Sequence, residues 1–203
     1  MGTCYIVGAG EFSEKITLTD GDFVIAADGG FDNLKKIGIT PDLLIGDFDS
    51  ISELPKGTEA VRYPVEKDET DSFLAYKLGV ERGYREFVLL GGTGGRIDHT
   101  LANYSLMFYA RREGNRLSVV GSGTRAYAVV NEKKTLVGKR GCTVSVFAFG
   151  GKAFSVSIKG LKYEADNITL QPEFALGVSN SYINDGEAYV SVGDGALLVI
   201  EEA

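Results

Sequence analysis

The first half of the chain alternates short apolar runs with segments of helical periodicity. Apolar runs bounded by polar residues and glycine predict buried strands. Each helical segment ends at a glycine, which commonly stops a helix because it readily adopts positive φ. This alternation predicts a Rossmann-like three-layer domain with a mostly parallel sheet. The predicted strands are Cys4–Val7, Phe23–Ala27, Leu43–Ile45, Ala60–Tyr63 and Phe87–Leu90, and the predicted helices are Phe31–Ile37, Asp71–Arg82 and His99–Glu113.

The second half of the chain carries a different pattern, which begins near Ser118. Apolar and polar residues alternate through Phe154–Lys159, as in a strand with one buried face. Asp185-Gly186 and Asp194-Gly195 are typical of hairpin turns between short strands. Because no long segment of helical periodicity follows, this half predicts an all-β sandwich. The predicted division gives an α/β domain at 1–122 and a β-sandwich domain at 123–203.

Glycines or carboxylates follow every predicted strand of the first half. In open α/β sheets, ligands bind beyond the carboxyl ends of the strands. Parallel strands bring those ends to one edge, so we expect the polar clusters to lie close together. The clusters are Gly8–Gly10, Asp28–Gly30, Gly46–Ser50, Lys67–Asp71 and Gly91–His99.

The segment Gly46–Ser50 indicates a cation site. Asp47 and Asp49 are two residues apart, so their carboxylates share one face of an extended backbone. Two neighbouring carboxylates repel each other unless a cation lies between them. Mg²⁺ prefers one or two carboxylates together with substrate phosphates and water. We therefore predict that Asp47 and Asp49 bind Mg²⁺.

The segment Gly91–Gly95 predicts a phosphate site. Its backbone N–H groups precede a helix N-terminus, an arrangement that favours phosphate oxygens. Arg96 adds a permanently charged group that can contact the same oxygens with two hydrogen bonds. The chain lacks the Gly-Lys-Ser/Thr sequence of P-loop enzymes.

Each cluster also has a purely structural interpretation. Asp28-Gly29-Gly30 is compatible with an ordinary turn. Asp68 is compatible with a helix N-cap, and Asp71 with an acid in the first turn of a helix. Asp98 is likewise compatible with a cap on the third helix. The functional interpretation depends on all the clusters meeting at one edge of the sheet.

Charge and cysteine content restrict the partners. The formal net charge is −7, which argues against a nucleic acid or an anionic membrane as partner. A polyphosphate remains compatible with this charge if a divalent cation stands between it and the protein. Cys4 and Cys142 suggest no disulfide framework, and neither a signal peptide nor a membrane span is recognisable. We therefore expect a cytoplasmic protein.

The ordered motifs resemble those of the thiamine pyrophosphokinase family. The resemblance extends over nearly the whole chain, because a Ser-Asn motif of that family is matched by Gly177–Ser181. It implies an enzyme that uses Mg²⁺, transfers the diphosphate of ATP to the hydroxyl of thiamine and releases AMP. It also implies a homodimer with sites at the subunit interface, a nucleotide-binding first domain and a thiamine-binding second domain. The matching segments of the first domain are Asp28–Gly30, Gly46–Ser50, Asp68–Asp71 and Gly91–His99.

The same resemblance implies roles for individual residues. The predicted catalytic residues are the metal ligands Asp47, Asp49 and Asp71, together with Asp98. Either Asp71 or Asp98 is expected to accept the proton of the alcohol, and the sequence does not choose between them. The predicted ATP-binding residues are Asp28, Gly29, Thr70, Gly92, Gly95 and Arg96, and the predicted thiamine-binding residues are Asp98, Ser179 and Asn180. Tyr182 is where some relatives stack an aromatic ring on thiamine, and Lys67 replaces a glutamine found in some members.

Two other functions stay open at the level of sequence. A related diphosphokinase acting on another alcohol, such as a pterin, would need the same phosphate-handling residues. A non-catalytic module that binds ATP with Mg²⁺ would also need a polyphosphate site. The number of carboxylates argues against the second, since binding a polyanion does not require so many acids.

Overall fold

The structure is a computed structural model that describes residues 2–10, 16–27, 29–46, 56–63 and 68–202. The chain divides into two compact units, Met1–Gly123 and Thr124–Ala203. The first unit is α/β, whereas regular structure in the second is all strand over residues 124–202. None of the helices in the described ranges has the length and apolarity needed to cross a bilayer.

The first unit contains one parallel sheet with three helices. Its strands follow the order β6-β5-β1-β2-β3-β4, and all five neighbouring pairs run parallel. The central strands are buried on both faces, which explains their nearly continuous apolar sequences. The strands are β1 (Cys4–Val7), β2 (Phe23–Ala27), β3 (Leu43–Gly46), β4 (Glu59–Arg62), β5 (Glu86–Leu90) and β6 (Arg116–Gly121), and the helices are α1 (Gly30–Lys36), α2 (Asp71–Glu81) and α3 (Ile97–Arg112).

The predicted alternation of strands and helices is confirmed, with element ends shifted by one or two residues. The helix stops are also confirmed, because Gly38, Gly83 and Gly114 all have positive φ. The strand β6 was not predicted. It pairs in parallel with β5, so the parallel sheet continues beyond the change of pattern at Ser118.

Helices cover both faces of the parallel sheet. In α1, Leu34 packs with Val7 and Ala26, which point to one face. In α2, the Tyr76 ring lies 4.9 Å from the Phe87 ring, centroid to centroid, on the opposite face. Gly79 permits this approach, because a Cβ there would lie 2.6 Å from the Phe87 ring.

Cys4 belongs to the core beneath α2. It is fully buried, and this burial raises the pKa of its thiol to about 12. Both Cys4 and Cys142 are free. Cys4 therefore acts as a small apolar side chain in the packing of the sheet.

The second unit consists of two antiparallel four-stranded groups that share one hydrophobic core. The first group has the order β12-β9-β14-β7, and the second has the order β11-β10-β13-β8. Val146 and Val199 from the first group and Val156 and Val190 from the second are fully or almost fully buried in this core. The strands are β7 (Thr124–Val130), β8 (Lys133–Gly138), β9 (Thr143–Ala148), β10 (Ala153–Lys159), β11 (Ala165–Leu170), β12 (Gly177–Ser181), β13 (Gly186–Ser191) and β14 (Ala196–Glu202).

The two predicted hairpins of this unit are wrong. Asp185-Gly186 leads from β12 into β13, and Asp194-Gly195 leads from β13 into β14. In both cases the chain crosses from one group of strands to the other, so the consecutive strands do not pair. Gly186 and Gly195 do take positive φ. The Asp-Gly sequence reports the local backbone conformation and not the pairing partner of the next strand.

Candidate active site

A cleft of about 410 Å³ lies at the carboxyl ends of β1, β2 and β5. It brings together three of the predicted clusters, namely the turn after β1, the start of α2 and the loop from β5 into α3. Their convergence follows from the parallel sheet, as expected from the sequence. The lining residues are Gly8, Ala9, Gly10, Ala27, Glu69, Thr70, Asp71, Ser72, Gly91, Gly92, Thr93, Gly95, Arg96, His99, Thr100 and Asn103.

The predicted site residues are distributed unevenly around this cleft. Those that line it are Thr70, Asp71, Gly92, Gly95 and Arg96. Among the described residues, Gly29 and Asp98 lie near these segments in sequence but do not line the cleft. Asp28, Asp47, Asp49 and Lys67 lie outside the described residues.

The turn Gly8–Gly10 is hydrogen-bonded to the end of β5 and to the loop that follows it. Gly8 donates its N–H to the carbonyl oxygen of Leu90 at 2.8 Å, and Gly10 donates to that of Gly91 at 3.1 Å. A Cβ on Gly10 would overlap the carbonyl oxygen of Gly91. Glycine is therefore required here for close approach of two backbones, and two of the N–H groups are not available to a ligand.

The loop after β5 fits an anion. Gly91 and Gly94 have φ values of 66° and 86°, which glycine adopts at low cost. Thr93 lies between them, and its buried hydroxyl has no hydrogen-bond partner among the described residues. The loop leads into α3, which begins at Ile97 with no side-chain cap from its N-cap residue Arg96, although the His99 N–H donates to Asp98 Oδ1 at 3.0 Å. An oxyanion is favoured at such a helix start by hydrogen bonding and by the helix dipole.

The start of α2 reaches the same cleft. Thr70 is the N-cap, since its hydroxyl oxygen accepts the Phe73 N–H at 3.2 Å. The alternative of Asp68 as N-cap is therefore wrong, whereas Asp71 does lie in the first turn. That placement is compatible with a ligand role, because Asp71 also lines the cleft.

Arg96 and Asp98 form an exposed ion pair next to the cleft. Arg96 donates from Nε and Nη2 to the two carboxylate oxygens of Asp98, at 3.1 and 2.6 Å. These hydrogen bonds lower the pKa of the Asp98 carboxyl, and the Arg96 pKa is raised by the same contact. Asp98 is therefore a weak proton acceptor while it is paired. An anionic ligand at Arg96 would compete directly with Asp98 for the guanidinium group.

The oxygen ligands that line the described part of the cleft are of the kind that binds a hard cation. Glu69 and Asp71 supply carboxylates and Thr70 supplies a hydroxyl, and Mg²⁺ prefers oxygen ligands of this kind. Glu69 is also paired with Lys77, whose Nζ lies 3.3 Å from its carboxylate. Within the described ranges, no three His, Cys, Asp or Glu side chains are grouped closely enough to hold a metal ion.

The predicted thiamine-binding pair Ser179 and Asn180 lies on β12, in the second unit. Ser179 has a φ of 57° at an irregular point of the β12–β9 ladder. Asn180 is 4% exposed, and its amide forms hydrogen bonds through both Oδ1 and Nδ2. Its Oδ1 accepts the N–H groups of Tyr163 and Ser181, both at 2.9 Å, and its Nδ2 donates to the Tyr163 carbonyl oxygen at 2.7 Å. In this conformation Asn180 shapes the backbone around Tyr163.

Tyr182 does not lie at a ligand-accessible surface. It is 3% exposed and belongs to the core of the second unit. A Cβ on Gly138 would overlap its ring, so the ring packs directly on that backbone. The expectation that Tyr182 stacks on a ligand is therefore wrong, because alternation along β12 and beyond turns this ring inward.

Two cleft residues in α3 lie outside the sequence motifs. Asn103 lies seven residues after Arg96, and Thr100 lies four residues after it, so all three share one face of α3. This helical spacing is the signal that could have identified Asn103 and Thr100. Thr93 carried no such signal, because its neighbours in the loop are all glycine.

Comparison with known proteins gives a consistent result. The family model for the thiamin pyrophosphokinase catalytic domain matches residues 15–119, and that for the thiamin pyrophosphokinase vitamin B1 binding domain matches residues 130–197. A thiamine pyrophosphokinase from Bacillus subtilis (strain 168) is 28% identical over 189 residues, which cover 87% of this chain and 85% of the relative. Thiamin pyrophosphokinase 1 from Caenorhabditis elegans is 25% identical over 191 residues, covering 87% of this chain and 78% of the relative.

Solved structures share the fold. The crystal structure of a thiamine pyrophosphokinase from Bacillus subtilis superposes with a TM-score of 0.88, covering 99% of both chains at 23% identity. A second one, from Geobacillus thermodenitrificans, superposes with a TM-score of 0.81 at 24% identity and covers 99% of this chain and 97% of its own. At these identities the superpositions establish the fold alone.

Proposed function

The chain belongs to the thiamine pyrophosphokinase family, and we infer from this that it is a transferase that makes thiamine diphosphate. It transfers the diphosphate of ATP to the hydroxyl of thiamine and releases AMP. The observation that carries this function in the structure is the single cleft shared by a glycine loop and the starts of α2 and α3. Both helix starts favour negative charge, which suits a polyphosphate.

The phosphates of ATP are assigned to the loop after β5 and to the two helix starts. Gly92, Gly95 and Arg96 bind phosphate oxygens in this proposal, and Thr70 donates a hydrogen bond to them from its hydroxyl group. The start of α3, where the N-cap residue Arg96 makes no side-chain cap, and the Thr93 hydroxyl, which has no hydrogen-bond partner among the described residues, support the assignment. Asp28 and Gly29 complete the proposed ATP-binding set. Gly29 is the N-cap residue of α1, two residues after the end of β2 in the chain.

Mg²⁺ is proposed to bind Asp47, Asp49 and Asp71. Asp71 lines the cleft, and Asp47 and Asp49 follow β3 directly in the sequence. Because β3 runs parallel to β2, its carboxyl end faces the same edge of the sheet, which supports the assignment. Bound there, the ion would neutralise phosphate charge and so help an alcohol oxygen to approach a polyanion.

The reaction needs a nucleophile, a leaving group and a proton acceptor. The thiamine oxygen forms a bond to the β-phosphorus, the bond from that phosphorus to the AMP oxygen breaks, and the alcohol proton passes to a carboxylate. Asp71 and Asp98 are the proposed acceptors. Asp98 becomes the stronger base only after it separates from Arg96, because that contact lowers its pKa. Holding the alcohol in line with the breaking bond supplies much of the remaining acceleration.

Thiamine is assigned to Asp98 and to Ser179 and Asn180. We assign nucleotide binding and catalysis to residues 1–122, and thiamine binding to residues 123–203. The division after Gly123 and the extents of the two family models, 15–119 and 130–197, support this assignment. The amide of Asn180 is hydrogen-bonded to the Tyr163 backbone. This supports an indirect contribution of Asn180 to thiamine binding, in which its side chain holds that backbone in place.

The remaining proposals concern architecture and context. The first unit is proposed to be a Rossmann-like three-layer domain, which its parallel sheet with helices on both faces supports. The second is proposed to be a β-sandwich, supported by its two groups of strands around one core. We further propose a cytoplasmic homodimer with sites at the subunit interface and with neither nucleic acid nor membrane as partner. The net charge of −7 supports the exclusion of polyanionic surfaces.

An AMP-release assay tests the function. The purified chain is incubated with ATP and thiamine, with and without Mg²⁺, and the products are separated by chromatography. We expect AMP and thiamine diphosphate in equal amounts, and only when Mg²⁺ is present. ADP in place of AMP would mean transfer of a single phosphoryl group and would end the proposal. AMP release with a pterin but not with thiamine would identify the related diphosphokinase instead, and ATP binding without AMP release would identify a non-catalytic module.

A further inference from the structure

Two asparagine side chains hold the carbonyl oxygens of the glycine segments that border the cleft. Asn33, in α1, donates from Nδ2 to the carbonyl oxygens of Gly8 at 3.0 Å and Gly10 at 2.9 Å. Asn103, in α3, is 8% exposed and donates from Nδ2 to the carbonyl oxygen of Gly92 at 2.8 Å. Neither residue belongs to the motifs that define the phosphate site.

These hydrogen bonds fix the orientation of the peptide groups to which the three carbonyl oxygens belong, and two of those peptide groups carry an N–H of a cleft residue. In a trans peptide the C=O and the following N–H point in opposite directions. Asn33 holds the Gly8 carbonyl and thereby turns the N–H of Ala9 away from α1. Asn103 holds the Gly92 carbonyl and thereby turns the N–H of Thr93 away from the Asn103 side chain. Ala9 and Thr93 both line the cleft.

The same contacts remove negative partial charge from the cleft. A free carbonyl oxygen beside a phosphate would repel it. A carbonyl oxygen that accepts a hydrogen bond from an asparagine amide has its partial charge offset and is held towards that amide. Glycine flexibility makes such control necessary, because glycine populates many backbone conformations that would turn these carbonyls around. Gly91 already has positive φ next to the segment that Asn103 holds.

We propose that Asn33 and Asn103 are positioning residues that aim the Ala9 and Thr93 N–H groups at the phosphates of the bound substrate. The proposal rests on the polyphosphate site of the proposed function and adds the residues that preorganise it. Neither asparagine needs to touch the substrate. Each acts through the peptide group that it holds, which lowers the cost of ordering the loops when a polyanion binds.

Leucine substitutions test the proposal, because leucine resembles asparagine in shape and adds no charge. We would measure the affinity of the full-length chain for tripolyphosphate with Mg²⁺ by calorimetry, for Asn33→Leu and Asn103→Leu. We expect each variant to bind about tenfold more weakly, from the loss of one charge-assisted hydrogen bond. In turnover assays the KM for ATP should rise by a similar factor, while the KM for thiamine stays unchanged.

Asn115→Leu is the matched control. Asn115 is 2% exposed in the same unit, bonds to the Tyr76 hydroxyl at 2.6 Å and does not line the cleft. We expect its tripolyphosphate affinity to stay within about twofold of that of the natural chain, since it holds no loop carbonyl. Equal weakening in this control would attribute the effect to general destabilisation and overturn the proposal.

The remaining outcomes are also decisive. Unchanged tripolyphosphate affinity in Asn33→Leu overturns the proposal, even if buried Asn103→Leu fails to fold, because Asn33 is only partly buried. A natural chain that does not bind tripolyphosphate overturns it as well. If the natural chain binds tripolyphosphate but releases no AMP with thiamine, the proposed function fails, and the comparison of variants still decides whether the asparagines position the loops.

Discussion

In the parallel-sheet unit, polar groups gather at one edge, beyond the ends of the strands, and border an open cleft. In the β unit, several polar groups are enclosed instead. Tyr127 donates its hydroxyl to Glu201 at 2.8 Å, and the Tyr182 hydroxyl and the second carboxylate oxygen of Glu201 are buried without a hydrogen-bond partner among the described residues. Asn180 is likewise buried and bonded to backbone.

The difference shows that polar residues of similar type have different consequences in the two units. At the sheet edge they face water, so their removal changes ligand binding more than folding. Inside the β unit, the hydrogen bonds of these residues take the place of hydrogen bonds to water. Removing such a residue leaves its buried partners without a hydrogen bond and changes folding more than chemistry. The three substitutions below examine this distinction, in order of decreasing effect.

Asp71→Asn is expected to lower kcat/KM by about 10³-fold, or about 4 kcal/mol, because it removes a proposed metal ligand and proton acceptor. The free energy of unfolding should fall by less than about 1 kcal/mol, the usual size of the contribution of an acid in the first turn of a helix, where Asp71 lies. Steady-state kinetics and urea unfolding measure the two quantities. Asp32→Asn is the control, because Asp32 occupies the first turn of α1. Normal turnover of Asp71→Asn at saturating Mg²⁺ would contradict the assignment.

Asn180→Ala is expected to lower the free energy of unfolding by about 2 kcal/mol, because it removes three partly buried hydrogen bonds to backbone groups of Tyr163 and Ser181. Urea unfolding followed by tyrosine fluorescence measures the loss. Gln171→Ala shortens an exposed amide of the same unit and should change stability by less than about 0.5 kcal/mol. Stability equal to that of the natural chain would show that the enclosed amide is not structural.

Glu201→Gln is expected to change the pH dependence of stability. Burial raises the pKa of the Glu201 carboxyl above its ordinary value of 4.5, with the Tyr127 hydrogen bond acting in the opposite direction. Between the ordinary and the raised pKa, the folded chain keeps a proton on Glu201 that the unfolded chain releases. The stability that Glu201 contributes is therefore fully present below pH 4.5 and is lost as the pH rises through the raised pKa. Glu201→Gln has no carboxyl group at this position, so its stability does not decrease in this way as the pH rises.

Urea midpoints measured from about pH 5 to pH 8 test this expectation. The difference in stability between Glu201→Gln and the natural chain should increase in favour of the variant as the pH rises. Glu187→Gln, at an exposed position of β13, should show no such trend. A difference that is constant over this range would mean that Glu201 ionises equally easily in the folded and unfolded chain.

The contrast between the units also explains which features the sequence could predict. The alternation of strands and helices in residues 1–123 depends on local periodicity and on glycine stops such as Gly83, and both are visible in the sequence. The convergence at the cleft followed from one topological rule for parallel strands. By contrast, Asp194-Gly195 revealed a turn but not the change of sheet beyond it, because pairing depends on residues distant in the chain.

Side-chain direction was the second source of error. The ring of Tyr182 is buried in the β unit, and a motif does not specify which face of a strand is covered. Asn33 and Asn103 were missed for a related reason. Their importance depends on which carbonyl oxygens lie opposite them, and those oxygens belong to segments at least 11 residues away in sequence.

The contacts of Gly8 and Gly10 with Leu90 and Gly91 have a consequence for biosynthesis. They connect segments about 80 residues apart in the chain, and contacts of such long sequence separation form late, because a large loop must close first. A nascent chain that has not yet emerged beyond β5 lacks the partners of Gly8 and Gly10 and therefore cannot assemble this side of the pocket. We therefore expect the pocket to close only after the segment that carries Leu90 and Gly91 has been synthesised.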